Sequence, residues 1–287
     1  MALQVEMHCH TVYSNFFNKS KRIPYESTTT PEALLAACNA NGVDCVFVTD
    51  HNNIRGYQKT AEYWKDHAKY RHIGVLPGVE VSTRDGHIIA LGVKNNIRTD
   101  MSAEETVEEI KSLSGVPFAV HPFALGNGLR EKARICSLIE VHNATNVDLY
   151  SNLASKNFSE KHEIPQAAGS DAHIPELVGR CLNQVEADKN EDDIVQALNN
   201  GQIRPSRLGY ITKEELVRWT HPRLKFSEGH ILRYLRQDAP NYYTLGKLSL
   251  RLFLNYPNLF IWKLLTSIAV RGAKKRSKKL NSAWIGS

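Results

Sequence analysis

Residues 44–51 read DCVFVTDH. The run from Cys45 to Val48 has no polar break, is too short for a helix, and is rich enough in β-branched and aromatic side chains to predict a strand buried on both faces. It ends in Asp50 and His51. Working outward from it, the same ending recurs. Val5–His10 reads as a strand closing on His8 and His10, and Val75–Ser82 carries Glu80 near its end. Val116–His121 closes on His121, and Gln166–Ser170 is followed by Asp171 and His173. Ile135–His142 and His87–Val93 complete the strand candidates, the latter joined to Val75–Ser82 by a turn at Arg84, Asp85 and Gly86, where Asp-Gly favours a hairpin. Between the strands lie helical stretches: PEALLAACNAN from Pro31 with Gly42 at the C-terminal cap, Gly56–Ala68, the capping-box start SAEE at Ser102, Asp148–Lys161 and Glu191–Asn200. This alternation predicts an α/β parallel sheet or barrel, in which functional groups gather at the carboxyl ends of the strands.

The composition fits a folded chain. Of 287 residues, 42% are hydrophobic and 23% charged, which excludes wholesale disorder. The five cysteines are scattered and form no CxxC pair, which excludes a thiolate zinc site and a disulfide framework and predicts a reducing, cytoplasmic setting. The start, MALQVEMHCHT, has no signal-peptide pattern, and the longest apolar stretch, Leu248–Val270, is interrupted by Arg251 and Lys263. Charge divides the chain. Residues 213–287 hold 15 Lys and Arg against 4 Asp and Glu, whereas the part before them is net acidic. Two units are predicted: residues 1–212, the barrel, and 213–287, a basic helical extension broken at Pro222, Pro240 and Pro257.

His8, His10, Glu80, His121 and Asp171 carry the chemistry. His8 and His10 stand two apart on one strand, so both point to one face and can chelate one ion. So many imidazoles and carboxylates on one rim are costly to bury without a cation. Mixed nitrogen and oxygen donors suit two or three zinc, manganese or iron ions. Each residue alone has an ordinary reading as a surface or hydrogen-bonded group; HCH, TDH, GVE, AVHP and GSDAH, each at a strand end, do not arise together by chance. Asp50 either orients a ligand histidine without touching the ion or caps the following turn.

These elements, in this order over roughly residues 3–207, resemble the PHP family, named for polymerase and histidinol phosphatase. The resemblance implies a distorted barrel of seven strands and seven helices, holding up to three ions. It implies His8, His10, Glu80 and Asp171 at the first ion, Glu80, His87 and His121 at the second, and His51 and His173 at the third. Glu140 and Asn143, in IEVHNA, match a segment that lines the family's site without ligating. His142, on the same strand face as Glu140, is left unassigned. The family run HxHTxxSDG here reads HCHTVYSNF, so Asn15 stands where an acid is common, and the third ion is expected to bind more weakly. The reaction implied is hydrolysis of a phosphoester by a metal-activated water, the substrate being a phosphorylated small molecule, a nucleotide or an oligonucleotide. The alternative is a non-enzymatic metal-binding module that holds nucleic acid through its basic tail.

Among cations that could meet a phosphate, Arg55, just after TDHNN, is the first candidate for substrate binding, ahead of Lys19, Lys21, Arg22 and Arg130. Three readings of the tail are ranked: packing on the barrel, then nucleic-acid contact, then contact with a membrane surface. If the tail binds nucleic acid, removing it is expected to weaken oligonucleotide binding and spare hydrolysis, because every ligand candidate precedes residue 213; if it packs on the barrel, truncation is expected to give insoluble protein.

Overall fold

The computed structural model describes residues 2–17 and 23–286. Nine strands form one sheet among these residues: β1 (Ala2–Glu6), β2 (Cys45–Val48), β3 (Gly74–Ser82), β4 (His87–Leu91), β5 (Val116–Ala119), β6 (Leu138–Asn143), β7 (Gln166–Gly169), β8 (Leu182–Glu186) and β9 (Ile203–Arg207). Their order is β7-β6-β5-β4-β3-β2-β1-β8-β9. The expected seven strands are therefore nine, and the sheet is mixed rather than parallel. Strands β1–β2–β3 and β5–β6–β7 run parallel, but β4 is antiparallel to both neighbours, as are β8 to β1 and β9 to β8. The antiparallel β4 follows from the hairpin at residues 83–86, where the Thr83 hydroxyl accepts from the amides of Asp85 and Gly86.

The sheet curls until its ends nearly meet. Asn183, fully buried on β8, accepts from the Ala168 amide at 2.8 Å and donates to the Ala168 carbonyl at 2.8 Å. One side-chain amide thus stands in for a backbone neighbour and seals the seam between β7 and β8. All four residues of β2 are buried. Cys45 and Phe47 join Leu3, Val5, Met7 and Phe118 in the barrel interior, while Val46 and Val48 pack under a helical layer with Leu34, Leu35 and Cys38. That two-sided burial is the physical reason for an unbroken apolar run.

Five helices flank the sheet: α1 (Pro31–Asn41), α2 (Arg55–Asp66), α3 (Ala103–Ser112), α4 (Tyr150–Lys161) and α5 (Glu191–Asn199). The extension adds α6 (Lys213–Gln237), α7 (Tyr243–Asn255), α8 (Phe260–Leu280) and the short α9 (Ser282–Ile285). Pro222 does not break α6, which runs through it. The helix is anchored over the turns before the proline, where Thr212 and Glu215 form a capping box, Arg180 pairs with Glu215 at 2.5 Å, and Leu216 and Trp219 pack into the barrel's helical layer; just after it, Arg223 pairs with Glu26 at 3.3 Å. Pro240 and Pro257 lie at the breaks, as expected. The far end of the extension is also anchored, with Trp284 against Phe123 and Phe158 and the Asn281 amide donating to the Phe123 carbonyl at 3.1 Å. Among the described residues no helix is long and apolar enough to cross a membrane.

Replacing Asn183 with Leu leaves the buried Ala168 amide and carbonyl unpaired. The expected loss is about 3 kcal/mol or more in denaturant-melt stability, at about 1–3 kcal/mol for each unpaired buried group. An unchanged midpoint would mean that this side chain does not seal the barrel.

Candidate metal centre

The strand ends converge. Beyond the named strands, single bridges pair Cys9 with Ala172 and His51 with Glu80, so the segments carrying His8, His10, His51, Glu80 and Asp171 meet at one rim. His121 and Asp171, each just past a strand, adopt left-handed backbone angles, φ 32° and φ 47°. Non-glycine residues held there cost of order 1–3 kcal/mol each, a strain that persists when the side chain has a job.

Glu80 is the hub, and it is 1% exposed. Its Oε1 faces His87 Nδ1 at 2.7 Å and His121 Nε2 at 3.1 Å. Its Oε2 faces His51 Nδ1 at 3.1 Å, His10 Nε2 at 3.2 Å and His8 Nε2 at 3.6 Å. The carboxylate therefore divides two sets of imidazoles between its two oxygens. Asp171 Oδ1 lies 3.4 to 3.5 Å from His10, His173 and His8. Four groups of three donors each have ligand atoms within 4.8 Å of one another: His10, His51 and His173; His8, Glu80 and His121; His8, His10 and Asp171; His51, Glu80 and His87.

The orientation of these rings is fixed from behind. His8 Nδ1 meets Glu140 Oε1 at 2.8 Å, His10 Nδ1 meets Ser14 Oγ at 2.9 Å, and His173 Nδ1 meets the Asp171 carbonyl at 3.0 Å. Each bond leaves Nε2 turned into the cleft. Glu140, fully buried, also accepts from the His121 amide at 2.6 Å and from Asn143 at 2.9 Å. Asp50 accepts from Ser14 at 2.7 Å and from the Thr11 hydroxyl at 2.7 Å, and so holds His10 through Ser14. Two glycines make this possible. A Cβ on Gly56 would collide with the Asp50 carboxylate, and one on Gly169 with Glu140 Oε1.

Among the described residues, ten buried side-chain nitrogen or oxygen atoms lack a hydrogen-bond partner, and seven lie here: on His8, His10, Glu26, His51, Glu80, His121 and His173. Native interiors rarely leave such groups unmet, so their concentration in one cleft calls for a partner that accepts lone pairs. The electrostatics agree. Burial opposes ionisation of Glu80 and Asp171, but the surrounding imidazoles, His51 and His87 for Glu80 and His8 and His10 for Asp171, hold both carboxyls well below the usual carboxylate range. Burial pushes His173 down to about 4, whereas hydrogen bonds to Asp171 and Glu80 outweigh burial at His10 and raise it to about 9. Crowded imidazoles with ionised carboxylates form a donor set suited to divalent metal ions.

Several expectations take a different form. Asn15 does not face the cleft: its Oδ1 accepts from the Glu26 and Ser27 amides at 2.7 and 3.0 Å, and its Nδ2 donates to the Ser27 carbonyl at 3.0 Å. It thereby places Glu26, which no motif marks, with Oε2 3.4 Å from His51 Nε2 and Oε1 3.8 Å from His173 Nε2. His142 does not share Glu140's direction, because a bulge between them breaks the alternation; its Nε2 meets the Gly209 carbonyl at 3.1 Å. Arg55 is exposed, with its guanidinium 5.3 Å from the Tyr13 ring, and is not among the residues lining the cleft. Arg130 binds the carbonyls of Phe123 and Ala124 and the Asn281 side chain, tying the extension down. Lys19, Lys21 and Arg22 lie outside the described residues.

The extension also reaches the site, although every ligand candidate read from the sequence precedes it. Trp219 on α6 lies over His173, ring centres 4.9 Å apart, and donates to the Glu26 carbonyl at 2.8 Å. Arg223 pairs with Glu26 Oε1 at 3.3 Å. Thr145, also unmarked in sequence, donates to Asp171 Oδ2 at 2.9 Å.

A sequence profile described as PHP-associated matches residues 150–203. An uncharacterised protein of Methanocaldococcus jannaschii is 33% identical over 175 residues, spanning 58% of this chain and 96% of that protein. A second uncharacterised protein of that organism is 26% identical over 141 residues, 44% of this chain and 60% of that one. A Bacteroides vulgatus two-domain protein containing a predicted PHP-like metal-dependent phosphoesterase superposes with a TM-score of 0.58 at 17% identity, covering 78% of this chain and 70% of that one. PsfC from Pseudomonas syringae gives 0.54 at 17% identity, covering 79% and 98%. At these identities the superpositions bear on the fold alone.

Ser14→Ala removes the link from Asp50 to His10 and the acceptor for the His51 amide, while His10 itself stays. Metal affinity, read by competition with a chelating dye, is expected to fall about 10–100-fold with the fold intact. Wild-type affinity in this variant would show that the bracing is idle.

Proposed function

The chain belongs to the PHP family, and on that footing we propose that it is a metal-dependent hydrolase of phosphoester bonds. The observation that carries the reading is the set of seven buried, unpartnered donor atoms around Glu80. In this reading His8, His10, Glu80 and Asp171 hold one ion, Glu80, His87 and His121 a second, and Glu26, His51 and His173 a third. Bound divalent ions would activate a water and neutralise charge developing on the phosphoryl oxygens. The chain's own part is to fix the donors. Glu140 and Ser14 set the ring orientations of His8 and His10, Glu80 offers one oxygen to each imidazole set, and Asn15 places Glu26.

The cleft supports a small reacting group. Its volume is about 190 Å³, below the roughly 300–1,000 Å³ of sites that enclose a drug-sized ligand. A phosphoryl group fits inside, with the rest of a small phosphoester or nucleotide left at the mouth, beside Trp219 and Asn127. An Asn at position 15, where an acid is common, would favour a non-catalytic module; the Glu26 carboxylate beside His51 and His173 weighs against it.

Elemental analysis of protein purified without chelator is expected to give more than one equivalent of zinc, manganese or iron. His10→Ala and Asp171→Ala should each lower that content and abolish turnover in a screen of phosphomonoesters, cyclic phosphodiesters and short oligonucleotides. Near-normal turnover by both variants without metal would overturn the reading. Glu26→Gln should remove about one equivalent and leave the rest, whereas Asn15→Asp, which loses its donor to Ser27, should not raise occupancy. A gain in metal on Asn15→Asp, with Glu26→Gln unaffected, would place the third acid at position 15 instead.

A further inference from the structure

The outer faces of α7 and α8 carry an arrangement that packing on the barrel does not use. Between residues 242 and 268 eleven large hydrophobic side chains are exposed, against eight in all the described residues before 213. They are ordered. Leu245, Leu248 and Leu252 recur at spacings of three and four, as one stripe along α7 with Tyr256 just past its end, while Leu250 and Phe253 of the same helix are buried. On α8, Leu264, Ile268, Arg271, Lys275 and Lys278 follow one another at spacings of four, three, four and three, all exposed, with the last of them touching the barrel, its ammonium 6.0 Å from the Tyr150 ring of α4. This is a single stripe that is apolar in its first half and cationic in its second.

Charge identifies the occupant. From Pro240 to the end the chain has nine Lys and Arg and no Asp or Glu. A second copy of this chain would bring cations against cations. Nucleic acid would satisfy the cations and leave the leucines and isoleucines against a polar surface. An anionic bilayer offers phosphates to the cations and an acyl boundary to the apolar half, with Tyr242, Tyr256 and Phe260 at interfacial depth. Between these helices and α6 an apolar cavity of about 490 Å³ opens among Leu224, Leu235, Leu250, Phe253, Trp262 and Leu265. Leu265 is itself 47% exposed, so the cavity wall is continuous with the outer face.

We infer that α7 and α8 form a docking face for an anionic membrane surface, on which the chain lies without spanning it. The full-length protein is expected to co-float with vesicles of equal parts phosphatidylglycerol and phosphatidylcholine, and not with phosphatidylcholine alone. Binding should weaken with added salt. Lys275→Gln with Lys278→Gln should weaken it about fivefold for each charge removed. Leu264→Glu with Ile268→Glu, both at exposed positions, should abolish it while circular dichroism and metal content stay unchanged. The inference fails if folded wild-type protein ignores the anionic vesicles. It fails equally if that protein instead binds a single-stranded oligonucleotide with an affinity the Leu264→Glu, Ile268→Glu pair leaves intact, or if the pair's effect is to dissociate a dimer that does not float.

Discussion

The buried Glu80 carboxylate constrains everything around it. Both its oxygens are taken out of water and face five imidazoles, so the fold must either protonate those rings or supply cations. Protonating all of them is self-defeating, because His10 stacks against both His51 and His173, with ring centres 4.6 and 4.3 Å away. Divalent metal ions would meet the carboxylate without adding a proton to any ring. The rest of the local structure follows from holding this geometry: positive φ at His121 and Asp171, glycine at 56 and 169 to admit the bracing carboxylates, and Ser14 relaying Asp50 to His10.

The helical extension is joined to that centre. Trp219 and Arg223 cover Glu26 and His173 from one side, and the far end of the extension returns to the barrel through Asn281 and Trp284. The two anchors leave α7 and α8 between them with the apolar parts of their stripes exposed. A segment held at both ends and greasy in the middle can meet an external surface without disturbing the cleft. It also means that cutting the chain near residue 213 removes part of the wall of the site along with the basic tail.

Much of this was legible in the amino-acid order, for physical reasons. DCVFVT announces burial on both faces, and HCH, GVE, AVHP and GSDAH place imidazoles and carboxylates where strands end. What escaped does so for reasons equally physical. Strands β8 and β9, LNQVE and IRPSR, mix polar side chains and a proline because β9 lies at the sheet edge and is half exposed, so neither shows an apolar run. Glu26 lies in an irregular segment, where no period points to it, and its backbone is pinned by the Asn15 side chain and the Trp219 indole. Trp219 and Arg223 reach the site through tertiary packing of a helix whose sequence reads as a separate basic unit. The register shift that sends His142 away from Glu140 leaves no trace in a strand pattern that alternates by two.

The central claim is that Glu80 is shared between metal ions held by different imidazole sets. Crystals of the protein grown without chelator, measured on both sides of the zinc, manganese and iron absorption edges, would locate each ion by its anomalous scattering. The account predicts at least two peaks, one beside each Glu80 oxygen, with His87 and His121 around the first and His8, His10 and Asp171 around the second. A single peak contacting only one oxygen, or none within reach of Glu80 while the protein hydrolyses phosphoesters, would contradict it.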